Sequence, residues 1–242
     1  MPLRDHLVEA RRRVLLSAAG ILAGAVGGWF LFDPAFRRLQ QPILEVAAKR
    51  DAAVSVNFAG VASALDLRLQ VAVFLGVVIS APWWLYQTWA FVAPGLKRRE
   101  KRYTLAFLGA AVPLFAAGIV VGLYLLPRAV ELLTTFVPDR ATNLIDAEQY
   151  LTFAMHMLVA FAIGFIFPVV MVGLTWIGIV SPRAWLKGWR WAVLIIFLFA
   201  AIATPTSDAL SMLVLALPMT ALYFGAIGVG ALRRRKRREA EE

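Results

Sequence analysis

Residues 69–94 read LQVAVFLGVVISAPWWLYQTWAFVAP, and residues 95–103 continue GLKRREKRY. The first stretch holds no Asp, Glu, Lys or Arg, while the second holds five basic residues and Glu100. A helix rises ~1.5 Å per residue, so an uncharged run of more than ~20 residues crosses the ~30 Å hydrocarbon of a bilayer. Lys and Arg crowded directly after such a run mark a cytoplasmic end. Working outward, further apolar stretches cover roughly 14–32, 104–127, 151–180, 191–203 and 209–232. Only the 191–203 stretch, with 13 residues between Arg190 and Thr204, falls short of a full crossing. Trp189 and Trp191 can anchor its start at an interface, and such a span requires local thinning of the bilayer or burial among neighbours.

Composition supports the same fold. Hydrophobic residues make up 61% of the 242-residue chain and charged residues 17%, too few to coat a soluble globule of this size. Mean hydropathy is +0.73. The expectation is an all-α polytopic membrane protein, a single membrane domain over 1–242 with six transmembrane helices and a basic tail at 233–242. Prolines 82, 94, 113, 127, 168 and 218 lie in or at the edges of the spans, which predicts kinked helices.

The net charge of +10 becomes a topology signal once it is placed. Segments 1–13, 95–103, 181–190 and 233–242 together hold 18 Lys and Arg, and the opposite side holds seven. The positive-inside rule then puts both termini in the cytoplasm. Contact with anionic lipid is a secondary role for these charges, and nucleic acid is not the expected partner. Arg11-Arg12-Arg13 before Val14-Leu15-Leu16 resembles a signal peptide, but the apolar run extends to Phe32, and more hydrophobic segments follow it. It reads as an uncleaved first span.

Between spans one and two, residues 33–68 form the longest outer segment. Leu39, Ile43, Leu44, Val46 and Ala47 predict a short amphipathic helix at the outer surface, with Pro34 at its start and Pro42 interrupting it. Pro138, Asp139 and Asn143 signal turns in the second outer loop, and Thr204-Pro205-Thr206-Ser207-Asp208 reads as a tight third turn.

Catalytic chemistry has no foothold. There is no phosphate-cradling GxxxxGK, no GxSxG and no HExxH motif. Cysteine is absent and the histidines are only His6 and His156, so no thiolate or His-based metal site is expected. The spans carry no Asp, Glu, Lys or Arg, which weighs against a proton-coupled pump. His156, about one and a half turns into the fourth span, is either a hydrogen-bonded packing residue or a polar anchor for a partner helix.

Acidic residues on the basic side are the anomaly. Glu9 lies in His6-Leu7-Val8-Glu9-Ala10-Arg11-Arg12-Arg13, and Glu100 in Lys97-Arg98-Arg99-Glu100-Lys101-Arg102. Each could make an ordinary local salt bridge, worth ~0–1 kcal/mol when exposed. Alternatively the two carboxylates receive cations from a ligand, and arginine suits them because its planar fork gives two parallel hydrogen bonds. The flanking basic residues would compete for any such site.

These stretches resemble the TatC family. The amino-terminal segment resembles H-L-x-E-L-R-x-R, with Ala10 where Leu is common. Residues 80–96, Ser80-Ala81-Pro82-Trp83-Trp84-Leu85-Tyr86-Gln87-Thr88-Trp89-Ala90-Phe91-Val92-Ala93-Pro94-Gly95-Leu96, closed by Glu100, resemble S-x-P-x-x-x-Y-Q-x-W-x-F-x-x-P-G-L-x-x-x-E. Pro42, Tyr150-Leu151-Thr152-Phe153, Thr204 to Asp208 and Leu217-Pro218-Met219 add shorter matches in chain order. The sequence departs from the family at Ile166 and Phe224, where glutamates are frequent.

The resemblance implies a kinked, concave bundle in a bacterial or archaeal cytoplasmic (inner) membrane, with no enzyme activity and no cofactor. It implies a receptor for twin-arginine signal peptides, assembled with TatA-type and TatB-type single-span subunits and powered by the proton-motive force. It also implies homo-oligomers within that complex. Glu9, Arg11, Gln87, Phe91 and Glu100 are the expected peptide-binding residues. Pro42, Pro82, Tyr86, Trp89, Pro94, His156 and Asp208 are the expected structural or partner contacts. A small-molecule permease or channel, and a structural scaffold, are the competing classes.

Overall fold

The structure, a computed structural model, describes residues 3–49, 56–57, 62–92, 101–134, 145–177, 180–203 and 209–239. Among these the chain is helical: α1 (Leu3–Phe30), α2 (Phe32–Lys49), α3 (Ser63–Ile79), α4 (Ala81–Val92), α5 (Lys101–Thr134), α6 (Ala147–Ile177), α7 (Pro182–Lys187), α8 (Trp189–Ala203) and α9 (Ala209–Glu239). The strand pairing among the described residues is a two-residue parallel contact of β1 (Val56–Asn57) with β2 (Ile145–Asp146).

Three helical stretches are long and apolar enough to cross a bilayer alone: Arg4–Phe30, Phe107–Glu131 and Glu148–Thr175. The pair Ser63–Ile79 and Ala81–Phe91, bent by 61°, makes a fourth, and the shorter apolar stretches Trp189–Ile202 and Leu215–Gly228 complete a set of six. The span expected at 69–94 is therefore a broken one. Pro82, the second residue of α4, has no N–H to continue the α3 ladder. Side chains reinforce the end of α3: Ser80 Oγ donates to the Gly76 carbonyl at 2.7 Å, which also accepts the Ser80 N–H, and Trp84 Nε1 donates to the Val77 carbonyl at 2.9 Å. The fifth span, α8, has 15 residues, about 22 Å of helix, and is as short as its sequence suggests.

The chain divides into two compact units. The first comprises Met1–Val112 and Thr134–Met155. Its main seam is α1 against α3. In lipid, burying apolar area gives helices little reason to associate, so close backbone approach and interhelical hydrogen bonds decide. Here Gly24 faces Gly76 so closely that a Cβ on Gly24 would lie 2.8 Å from the Gly76 carbonyl oxygen. Gly28 meets the Ala72 carbonyl in the same way, at 2.6 Å. Trp83 Nε1 donates to the Leu16 carbonyl at 2.9 Å, tying α4 to α1. At the other end, the Arg68 guanidinium of α3 lies 4.7 Å from the Trp29 ring and 5.1 Å from that of Phe32, a cation–π contact with the junction of α1 and α2.

The outer segment differs from expectation at Pro42. The helix α2 runs through this proline instead of being interrupted by it. A helical proline removes one hydrogen bond and loosens the carbonyls about a turn upstream, and the helix survives where other donors reach them. The Tyr150 hydroxyl supplies such a donor, to the Leu39 carbonyl at 2.9 Å. Leu39, Pro42 and Ile43 are buried and fix the apolar face of α2. A second polar tie joins the unit: Thr152 Oγ1 donates to Gln70 Oε1 at 2.9 Å, and Gln70 Nε2 reaches Glu148 Oε1 at 3.5 Å.

Pro113–Leu133 and His156–Glu242 form the second unit. Gly118 of α5 repeats the close approach, since a Cβ there would lie 2.6 Å from the Phe161 carbonyl of α6. Ser181 caps α7, accepting from the Ala184 N–H at 3.2 Å, with Pro182 as its first residue. The fully buried Tyr223 of α9 donates its hydroxyl to the Trp185 carbonyl at 2.6 Å. Beside them lies an apolar cavity of about 550 Å³ walled by Phe167, Trp185, Trp191, Phe199, Met219 and Tyr223.

Candidate functional site

The expected peptide-binding residues come from segments 1–13, 80–94 and 95–103. The first of these is not a loose tail. It is the beginning of α1, and that places Glu9 and Arg13 one helical turn apart on one face. Arg13 Nε donates to Glu9 Oε1 at 2.7 Å, and Arg13 Nη1 donates to Gln87 Oε1 of α4 at 2.8 Å. Gln87 is 2% exposed, whereas the Glu9 and Arg13 side chains keep about a third and a quarter of their surface in contact with solvent. A buried neutral acceptor and a half-buried charged acceptor thus converge on one guanidinium. The His6 ring stacks on Phe91 with centroids 4.7 Å apart and planes 25° apart, which closes α1 against the end of α4.

Three of the expected residues, Glu9, Gln87 and Phe91, are therefore brought together by the packing of α1 on α4. Arg11 is exposed on α1. Glu100, Pro94 and Asp208 lie outside the described residues. Sequence reasoning missed Arg13, although the spacing of four from Glu9 is a signal for a helical ion pair. It also missed His6 as a packing partner of Phe91, and no pattern in the sequence marks that contact.

Residues expected to be structural are distributed more widely. Trp89 is buried and stacks on Phe107 at 3.9 Å, with planes 13° apart. Tyr86 is exposed, with its neighbour Trp83 at 6.5 Å between centroids. Pro82 sits exposed at the bend. His156 lies on an exposed face of α6 between the buried Met155 and Met157. Because α6 begins at Ala147, His156 is deeper than the one and a half turns expected, nine residues or about 14 Å along the axis. Ile166 is buried where the family often has glutamate, and the exposed Phe224 packs edge-on against Tyr223. Among the described residues no three His, Asp or Glu side chains gather as metal ligands.

Fold and site define a class first: a polytopic helical membrane protein with a guanidinium-holding carboxylate and amide at one end of its helices. Comparison with known proteins narrows it. Residues 5–218 match the family described as TatC, Sec-independent protein translocase protein. The TatC of Xylanimonas cellulosilytica is 49% identical over 242 residues, covering 99% of this chain and 88% of that relative. The TatC of Deinococcus radiodurans is 35% identical over 223 residues, covering 92% and 83%. A crystal structure of the twin arginine translocase receptor TatC in DDM matches with a TM-score of 0.82 and 27% identity, over 93% of this chain and 99% of that one. The chain belongs to the TatC family, a family of protein translocases and not of enzymes. That membership favours protein translocation over the small-molecule permease.

Proposed function

We propose that this chain is the receptor subunit of a twin-arginine protein export system, binding signal peptides of folded precursors at the cytoplasmic face. The observation that carries the reading is the convergence of Glu9 and Gln87 on the Arg13 guanidinium, with Phe91 one turn after Gln87 on α4. A carboxylate accepts two parallel bonds from arginine but offers lysine only a point charge. Phe91 provides an apolar wall for the residues that follow the arginine pair. Glu100, in the basic stretch of sequence that follows α4, is the second carboxylate proposed to take part, with Arg11 at the rim of the site. The apolar part of the signal then enters the membrane along the helices.

The charge pattern supports an orientation with both termini in the cytoplasm of a bacterial cell and the whole of 1–242 acting as one membrane domain. TatA-type and TatB-type single-span subunits are the proposed partners, with further copies of this chain in the complex and the proton-motive force as energy source. The exposed apolar faces of α1 and α9, including Leu22, Val26, Leu213 and Leu217, are available to lipid or to such helices. His156 and Asp208 remain proposed contacts within this assembly, and Pro42 a structural residue of α2.

The test is binding of a twin-arginine signal peptide to full-length protein in lipid nanodiscs, with a twin-lysine peptide as control. A charge-assisted hydrogen bond contributes ~1.5–3 kcal/mol. Glu9→Gln and Glu100→Gln should each weaken the twin-arginine peptide by about tenfold or more and leave the twin-lysine peptide little changed. Unchanged affinity and discrimination in both variants would remove the carboxylates from the account.

A further inference from the structure

The peptide site contains an arginine of its own. An ordinary exposed i, i+4 pair would leave Arg13 swinging in solvent, attached to Glu9 alone. Here the guanidinium spans two helices, with Nε on Glu9 of α1 and Nη1 on the buried Gln87 of α4. Two acceptors set at the separation of two nitrogens of one guanidinium constitute an arginine site, and Arg13 fills it.

We propose that Arg13 is a built-in placeholder for the signal-peptide arginine, holding the Glu9 and Gln87 acceptors when the site is empty and yielding them to an incoming guanidinium. This inference rests on the peptide-receptor function proposed above and adds a binding threshold to it. An arginine of the peptide replaces Arg13 bond for bond, so the exchange costs little. A lysine has one nitrogen and lacks the planar fork, so it cannot restore both contacts in the same geometry and is held off by the arginine already present. Displacing Arg13 costs the same whichever peptide arrives, so it sets one threshold that an arginine, restoring both contacts, clears more readily than a lysine. Released from Glu9, Arg13 needs a new location, and its partly exposed position lets it swing into water or towards the peptide's own carbonyl groups.

The experiment measures affinity of twin-arginine and twin-lysine peptides for the full chain in nanodiscs, comparing wild type with Arg13→Lys and Arg13→Gln. Arg13→Lys keeps the local charge but weakens the two-point contact. It should tighten both peptides by a similar factor, roughly threefold to fivefold, the range an exposed ion pair supports. If only Arg13→Gln tightens binding, and does so equally for both peptides, the effect is removal of a positive charge and the placeholder is refuted. If Arg13→Lys weakens the twin-arginine peptide, Arg13 supports the site instead of occupying it, which also refutes the proposal. Loss of peptide binding in Glu9→Gln, alongside either refuting result, would show that the receptor site stands and the placeholder alone has failed. Indifference of the peptide to Glu9→Gln would remove the receptor site first.

Discussion

Helices α1 and α6 are both long and apolar, but their surroundings differ sharply. Only 6% of the apolar window of α1 is buried within the protein, against half of that of α6. Most of α1 faces outward through Leu15, Leu22, Val26 and Phe30, and it is held along one narrow seam by Gly24 and Gly28, the Trp83 bond and the Arg13 bridge. By contrast, α6 is held by many large side chains, including Leu151, Phe153, Leu158 and Phe161. Attachment concentrated in a few small or polar residues should fail at single positions, whereas attachment spread over many should not. The proposed peptide-binding residues sit on the concentrated kind, where a modest change can move α1 relative to α4.

The sharpest way to break that contrast is Gly24→Leu. The Gly76 backbone leaves no room for a side chain, so the seam must open at a cost of about 3 kcal/mol. Unfolding in mixed detergent micelles measures it, and peptide binding should be lost in the same variant. Leu158→Ala in α6 removes more atoms but should cost about 2–3 kcal/mol, near the low end for buried leucines, because its neighbours share the load. If it proves the more damaging of the two, the contrast between concentrated and distributed attachment is wrong. Tyr150→Phe leaves the Leu39 carbonyl one donor short beside Pro42 and should cost about 1–2 kcal/mol. Hydrogen exchange at α2 should rise with it, while exchange at α9 stays as it was. The smallest effect on stability is expected from a double-mutant cycle of Glu9 and Arg13, with a coupling below about 1 kcal/mol because both side chains are partly exposed. A coupling well above that would mean the bridge is structural, and Gln87 should then be included in the cycle.

The site was partly legible in the sequence. Glu9, Gln87 and Phe91 stood out through motif spacing, and Glu9 was conspicuous as a carboxylate among arginines. That Arg13 and not Arg11 faces Gln87 was not readable. It depends on α1 beginning at Leu3, so that a supposed tail has helical faces, and on the rotation of α1 against α4. The break at Ser80 could be inferred from Pro82, whereas the Tyr150 hydroxyl that reaches the Leu39 carbonyl beside Pro42 comes from more than a hundred residues away in the chain.

Composition and charge placement alone determined the number of apolar segments, their approximate ends, the shortness of α8 and the expected orientation. Those properties follow from the thickness of a bilayer and the cost of charge inside it, which act on each segment separately. Which face of each helix meets which neighbour was decided only by tertiary structure. A soluble helix advertises its packed face by an apolar stripe, but a helix apolar all round carries no such mark. In this protein the marks are a few glycines, one bent pair and one guanidinium shared between two helices, and their meaning emerges only when the helices are brought together.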